Sequence, residues 1–208
     1  VLAQAAPGTL RHLLWGADLM RLNLGVFVLY AVQIATWVGL PALLVQAGLP
    51  LTDHGWLYLP VVLLSFVVMA VTLFPLERKG RLRGLFLACI ALVAVVQLGL
   101  AWQAAGTVDL KVLGVWLFLF FCGFNVLEAS QPSQASRLAP ASVRATVLGI
   151  YNTLQSLGIF AGGAMGGWLA KEIGVMGLFL LNAGLMGLWL LAAWGMRVVP
   201  VNASQANH

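Results

Sequence analysis

Leu73-Phe74-Pro75-Leu76-Glu77-Arg78-Lys79-Gly80-Arg81-Leu82-Arg83 is a short basic stretch between two long apolar ones, and its last six positions hold four of the chain's 11 Lys and Arg residues. On either side the sequence runs almost uncharged for about 20 residues, the length a helix needs to cross the hydrocarbon core of a bilayer. Lys and Arg close to a span resist translocation, so a short basic loop of this kind is expected on the cytoplasmic side. Its placement then orients every other segment.

The rest of the composition agrees with that reading. Hydrophobic residues make up 62% of the chain and charged residues 8%, with a mean hydropathy of +0.98. A soluble domain carries about 25% charged residues; this chain lacks the polar surface to cover itself in water, so a lipid bilayer is its expected surrounding. The pI near 9.8 invites a nucleic-acid reading. The cations lie in short loops between apolar spans, however, which topology explains better than a phosphate-binding face, and no nucleic-acid partner is expected. Cys89 and Cys122 fall inside apolar spans and read as small core residues; no metal-ligand spacing and no cofactor motif is present.

Six spans follow from the pattern: Leu22–Val45, Trp56–Phe74, Gly84–Gln103, Val112–Gln131 ended by Pro132, Ala145–Ala170 and Val175–Met196. Residues 1–21 read as a cytoplasmic linker or interfacial helix, 22–196 as the transmembrane unit, and 197–208 as a cytoplasmic tail. Ser133–Arg144 reads as a polar inner loop, and Asp53 and His54 as solvated residues of an outer one. With both termini inside, Arg11, Arg21, Arg78, Lys79, Arg81, Arg83, Arg137, Arg144 and Arg197 are cytoplasmic, and only Lys111 and Lys171 lie outside. Nine cations against two supports both the count and the orientation. The spans divide three and three with opposite starting sides. That is the arrangement of two inverted three-helix repeats.

The fourth span carries the most polar chemistry. Asn125, Glu128 and Gln131 recur at three-residue spacing and share a helical face. Glu128 is the only acidic residue inside any span. An ionised carboxylate at mid-bilayer costs about 3 kcal/mol on insertion scales, so Glu128 is expected to face protein or water. One reading is a proton or cation site on a pathway. The other is a structural carboxylate paired with Arg137 or Arg144. In the first span Tyr30, Gln33 and Thr36 form a second polar stripe, suited to a cavity wall or to interhelical hydrogen bonding. Gln97 and Asn182 stand alone in the third and sixth spans and read as helix glue. In the fifth, Gly158, Gly162 and Gly166 form consecutive small-xxx-small pairs, with Gly163 and Gly167 beside them, a face for close helix packing. Tyr151, Asn152 and Gln155 near its inner end are candidates for the same cavity or for a cytoplasmic gate.

Several stretches carry a family resemblance: Arg21-Leu22-Asn23-Leu24-Gly25-Val26-Phe27, Phe124-Asn125-Val126-Leu127-Glu128-Ala129 with Pro132-Ser133, Ala139-Pro140, Gly149-Ile150-Tyr151-Asn152-Thr153, and Gly162-Gly163 with Gly166-Gly167-Trp168. In these the chain resembles the C-terminal six-helix half of a major facilitator superfamily transporter of the drug–proton antiporter type, nearest the YajR-like group. Glu77, Arg78, Gly80 and Arg81 are similar to the D-R-x-G-R part of the family's cytoplasmic loop motif, with Leu73 in place of its first Gly. The resemblance implies that this loop locks the transporter through charge pairs to neighbouring helix ends. It also implies that Gly163 stands where the family's antiporter motif has Pro.

The expected protein is therefore an all-α membrane protein of six transmembrane helices in two inverted repeats. Its expected activity is secondary transport in a bacterial inner membrane: proton-coupled efflux of small amphipathic molecules by alternating access. It would work against an N-terminal half of the same transporter that lies outside this chain. A substrate path is expected along Tyr30, Gln33, Thr36, Asn125, Glu128, Tyr151, Asn152 and Gln155. The alternatives are a stand-alone six-helix membrane interaction protein or homodimeric carrier, and an intramembrane hydrolase. The sequence gives the last no positioned Ser–His pair or metal cluster, so no enzyme activity is expected.

Overall fold

The computed structural model describes residues 16–196, and among these it is helical with no strand. Six long helices follow one another: α1 (Ala17–Gln46), α2 (His54–Arg78), α3 (Leu82–Ala105), α4 (Leu110–Leu138), α5 (Arg144–Glu172) and α6 (Gly174–Trp194), with one 3-10 turn at Leu51–Asp53. At about 1.5 Å per residue each reaches at least the ~30 Å of a hydrocarbon core. Five are also apolar enough to cross a membrane; α5 is the exception. Its N-terminal half carries Tyr151, Asn152, Thr153, Gln155 and Ser156, and glycines recur along it. These residues dilute hydropathy without shortening the helix, which runs 29 residues.

Helix ends follow local chemistry. After α2, Gly80 takes φ +68. Its N–H bonds to the Glu77 carbonyl, and the Arg81 N–H bonds to the Leu76 carbonyl. This is the paired termination that a left-handed residue makes possible, and only glycine adopts it without strain. The glycine of the loop motif is thus the residue that lets α2 and α3 meet in a three-residue turn. At the other face of the molecule Asp109 caps α4, its carboxylate accepting from Lys111 N at 2.8 Å and Val112 N at 3.1 Å.

Two expected boundaries change. Pro132 does not end the fourth span: α4 continues to Leu138 with Pro132 inside it. Within a packed membrane helix the loss of this one backbone bond is tolerated. The inner loop shrinks accordingly to the residues between Leu138 and Arg144. His54 is not a solvated loop residue. It opens α2, is buried, and its Nε2 lies 3.2 Å from the Leu49 carbonyl. Of the expected linker or interfacial helix over residues 1–21, only the part from Gly16 is described, where Ala17–Arg21 opens α1. The tail 197–208 lies outside the described residues.

Packing partners are α1 with α5 and α6, α3 with α4 and α6, and α2 with α4. Exchanging α1 with α4, α2 with α5 and α3 with α6 maps the set onto itself, α1–α5 onto α2–α4, α1–α6 onto α3–α4, and α3–α6 onto itself, as two inverted three-helix repeats require. The glycines of α5 make the tightest joint. A Cβ at Gly158 would stand 2.5 Å from the Phe27 carbonyl, and one at Gly162 2.3 Å from the Ala31 carbonyl. At Gly166 it would meet Ala35 Cα at 3.1 Å. Gly163 and Gly167 play no part in that joint: Gly163 meets only Ile34 at ordinary distance, and Gly167 meets nothing within 4 Å. α2 and α5 leave most of their length exposed, with Phe74, Phe160 and Trp168 among the uncovered side chains.

Candidate functional site

Glu128 sits in the C-terminal half of α4, and its carboxylate meets α1. The Tyr30 hydroxyl donates to Glu128 Oε1 at 2.8 Å. The Tyr30 ring stands edge-on to Phe124 at 5.8 Å, and Phe124 stacks on Phe120, also at 5.8 Å. These contacts hold the phenol in one rotamer and aim it at the carboxylate. Tyr151, brought in by α5, lies within electrostatic reach of Glu128. Pro132, four residues on, lacks the N–H that would bond the Glu128 carbonyl, so the backbone here is also an open acceptor. Glu128 is half-buried and Tyr30 is buried. The arrangement is a carboxylate with one fixed donor and acceptor capacity left over.

The two cations weighed as partners of Glu128 are found elsewhere: Arg137 pairs with Glu77, and Arg144 Nε donates to the Ser136 carbonyl at 3.2 Å. The other polar residues of the two stripes divide. Gln33 is half-buried on α1, one turn from Tyr30. Thr36 turns into the core instead, donating to the Val32 carbonyl at 2.7 Å and accepting from Gln97 Nε2 at 2.9 Å. Asn182 Nδ2 donates to Gln97 Oε1 at 3.2 Å, so α6, α3 and α1 are joined by one buried chain of hydrogen bonds. Gln97 and Asn182 are thus not isolated. Asn125 also faces away from Glu128: its Nδ2 donates to Ser65 Oγ of α2 at 2.8 Å. Tyr151 is buried, Gln155 half-buried and Asn152 exposed. In the sequence Ser65 is marked only as a lone polar residue in a very apolar span. Gln131 is fully buried, and neither its amide nitrogen nor its oxygen has a protein partner.

At the basic end, Glu77 in the last turn of α2 accepts from Arg137 in the last turn of α4, tying two helix ends across the bundle. Arg21 Nη1 donates to the Gly195 carbonyl at 2.8 Å, and Arg83 Nη2 donates to the Trp194 carbonyl. These two guanidinium groups satisfy carbonyls that the end of α6 leaves without helical partners. Arg78 and Arg81 are exposed. Of the loop motif, then, Glu77 makes the cross-bundle ion pair and Gly80 makes the turn.

The model of the Major Facilitator Superfamily matches residues 11–208. The chain is 34% identical over 197 residues to the inner membrane transport protein YajR of Escherichia coli, covering 95% of this chain and 43% of that protein. It is 30% identical over 142 residues to an uncharacterized transporter of Buchnera aphidicola subsp. Acyrthosiphon pisum, covering 68% of this chain and 36% of that one. An uncharacterized transporter of Buchnera aphidicola subsp. Baizongia pistaciae is 22% identical over 177 residues, covering 84% and 44%. The chain thus spans less than half the length of these relatives. Six membrane-length helices in two inverted triplets, a family model matched almost throughout and a transporter this similar place the chain in the major facilitator superfamily, as a multi-pass membrane protein of the transporter class.

Proposed function

We propose that this chain forms the C-terminal half of a proton-coupled exporter of small amphipathic molecules, in a bacterial inner membrane and with both ends of the six-helix unit on the cytoplasmic side. The Tyr30–Glu128 hydrogen bond carries the proposal, because it joins the only carboxylate within the spans to the polar stripe of α1. A hydrogen bond to a charged group contributes about 1.5–3 kcal/mol. Protonating Glu128 removes the charge that strengthens the bond, and with it a tie between the first helices of the two repeats. Alternating access then follows from rocking against the N-terminal half, which supplies the opposite wall. The nine-to-two division of cations supports the orientation. The name of the Escherichia coli relative, an inner membrane transport protein, supports the location.

The test is dye efflux from proteoliposomes holding the full-length transporter, driven by an imposed proton gradient. Glu128→Gln keeps the shape and the hydrogen-bonding reach but not the exchangeable charge. The expected outcome is loss of gradient-driven efflux with dye binding retained. Unchanged coupling would return Glu128 to a structural role.

A further inference from the structure

We propose that the turn between α2 and α3 is a binding site for the phosphate headgroup of an anionic phospholipid in the leaflet at the basic end of the bundle. The inference is independent of what Glu128 does, and it holds whichever side of the membrane that end faces.

The chain has six acidic residues: Asp18, Asp53, Glu77, Asp109, Glu128 and Glu172. Only Asp18 and Glu77 lie at the basic end. Asp18 is paired with Arg21 at 3.3 Å, and Glu77 with Arg137. Arg78, Lys79 and Arg81 are all exposed and have no ion pair or side-chain hydrogen bond among the described residues. No acid remains in this chain to neutralise them, so their counter-charge comes from outside it. The Gly80 turn concentrates the three cations within four residues, with Arg83 one helical step beyond.

The surroundings select lipid. α2 and α3 are consecutive yet make little contact with each other, α2 packing mainly on α4 and α3 on α6 and α4, so the turn joins two helices that are held by different neighbours. On α2, just beneath the turn, Val71 and Phe74 are exposed. Arg83 ties the turn to the end of α6 through the Trp194 carbonyl, and the Trp194 side chain is 64% exposed there. An uncovered indole level with a cluster of Arg and Lys is the composition of a membrane–water interface, with the ring among headgroups and the cations on phosphates. A free anion would use the cations but gain nothing from the apolar side chains below them.

The experiment is native mass spectrometry of the full-length transporter, delipidated and then titrated with phosphatidylglycerol or phosphatidylcholine. The wild type is expected to retain phosphatidylglycerol in preference to phosphatidylcholine, less so as salt rises. Each cation removed should weaken retention about fivefold, and R78Q/K79Q/R81Q together on the order of a hundredfold. Lys111→Gln with Lys171→Gln, at the opposite end, should leave retention unchanged. A thermal melt of the triple variant in detergent checks that it stays folded. Three results overturn the proposal. Equal retention of the two lipids by the wild type would mean that acidic groups elsewhere in the transporter hold these cations. Displacement by millimolar inorganic phosphate would mark a free-anion site. Retention unaffected by the triple variant would place the lipid elsewhere.

Discussion

Tyr30 shows how little of a side chain's role its spacing conveys. It shares a helical stripe with Gln33 and Thr36, yet Tyr30 bonds Glu128 while Thr36 bonds Gln97 in the core. Three residues on a helix advance about 300°, so a stripe read at three-residue spacing drifts by about 60° at each step. The same drift separates Asn125, held by Ser65, from Glu128. If the phenol orients and steadies the carboxylate, Tyr30→Phe and Glu128→Gln act on one interaction. The expected outcome is non-additivity: gradient-driven efflux in Y30F falls several-fold, and the Y30F/E128Q double variant is no worse than E128Q alone. Measuring efflux for all four proteins gives the coupling, and independent losses that multiply would show that the bond has no functional part.

At the scale of elements, the α1–α5 joint depends on hydrogen atoms standing where side chains would be. Gly162→Ala puts a methyl 2.3 Å from the Ala31 carbonyl, which cannot yield without separating the two helices. Overpacking of this kind costs about 1–3 kcal/mol. Gly167→Ala meets nothing within 4 Å, and gains up to about 1 kcal/mol in helix propensity. Thermal unfolding in detergent should therefore drop for G162A and hold or rise slightly for G167A. Equal shifts would mean that the five glycines act through helix flexibility rather than close approach. The sequence marked all five as packing residues. Only their register against Phe27, Ala31 and Ala35 separates the three that pack from the two that do not.

For the whole molecule, connectivity and charge make the same statement. Arg137 on Glu77, Arg83 on the Trp194 carbonyl and Arg21 on the Gly195 carbonyl gather the start of α1, the α2–α3 turn and the ends of α4 and α6 at one end. In the orientation proposed from the positive-inside rule, that end is cytoplasmic. A reporter active only in the cytoplasm is expected to work when inserted at Gly80 and to fail at Gly106, and a periplasmic reporter to do the reverse. The opposite pattern would invert the topology and, with it, the direction of transport assigned here.

The six helices, their alternation and the gathering of cations at one end were legible in the sequence, because each depends on composition along a segment and on loop charge, both local properties. Their limits were legible only roughly. Pro132 reads as a terminus because proline breaks an isolated helix; packing in the bundle offsets the lost bond, and α4 runs on to Leu138. Which polar residue meets which was decided by packing alone. Asn182, Gln97 and Thr36 are joined over 85 and 61 residues of sequence, and Tyr30 and Glu128 over 98. Such pairs exist because three-dimensional packing sets the rotation of each helix about its axis, and no periodicity within a single span records the rotation of its neighbour.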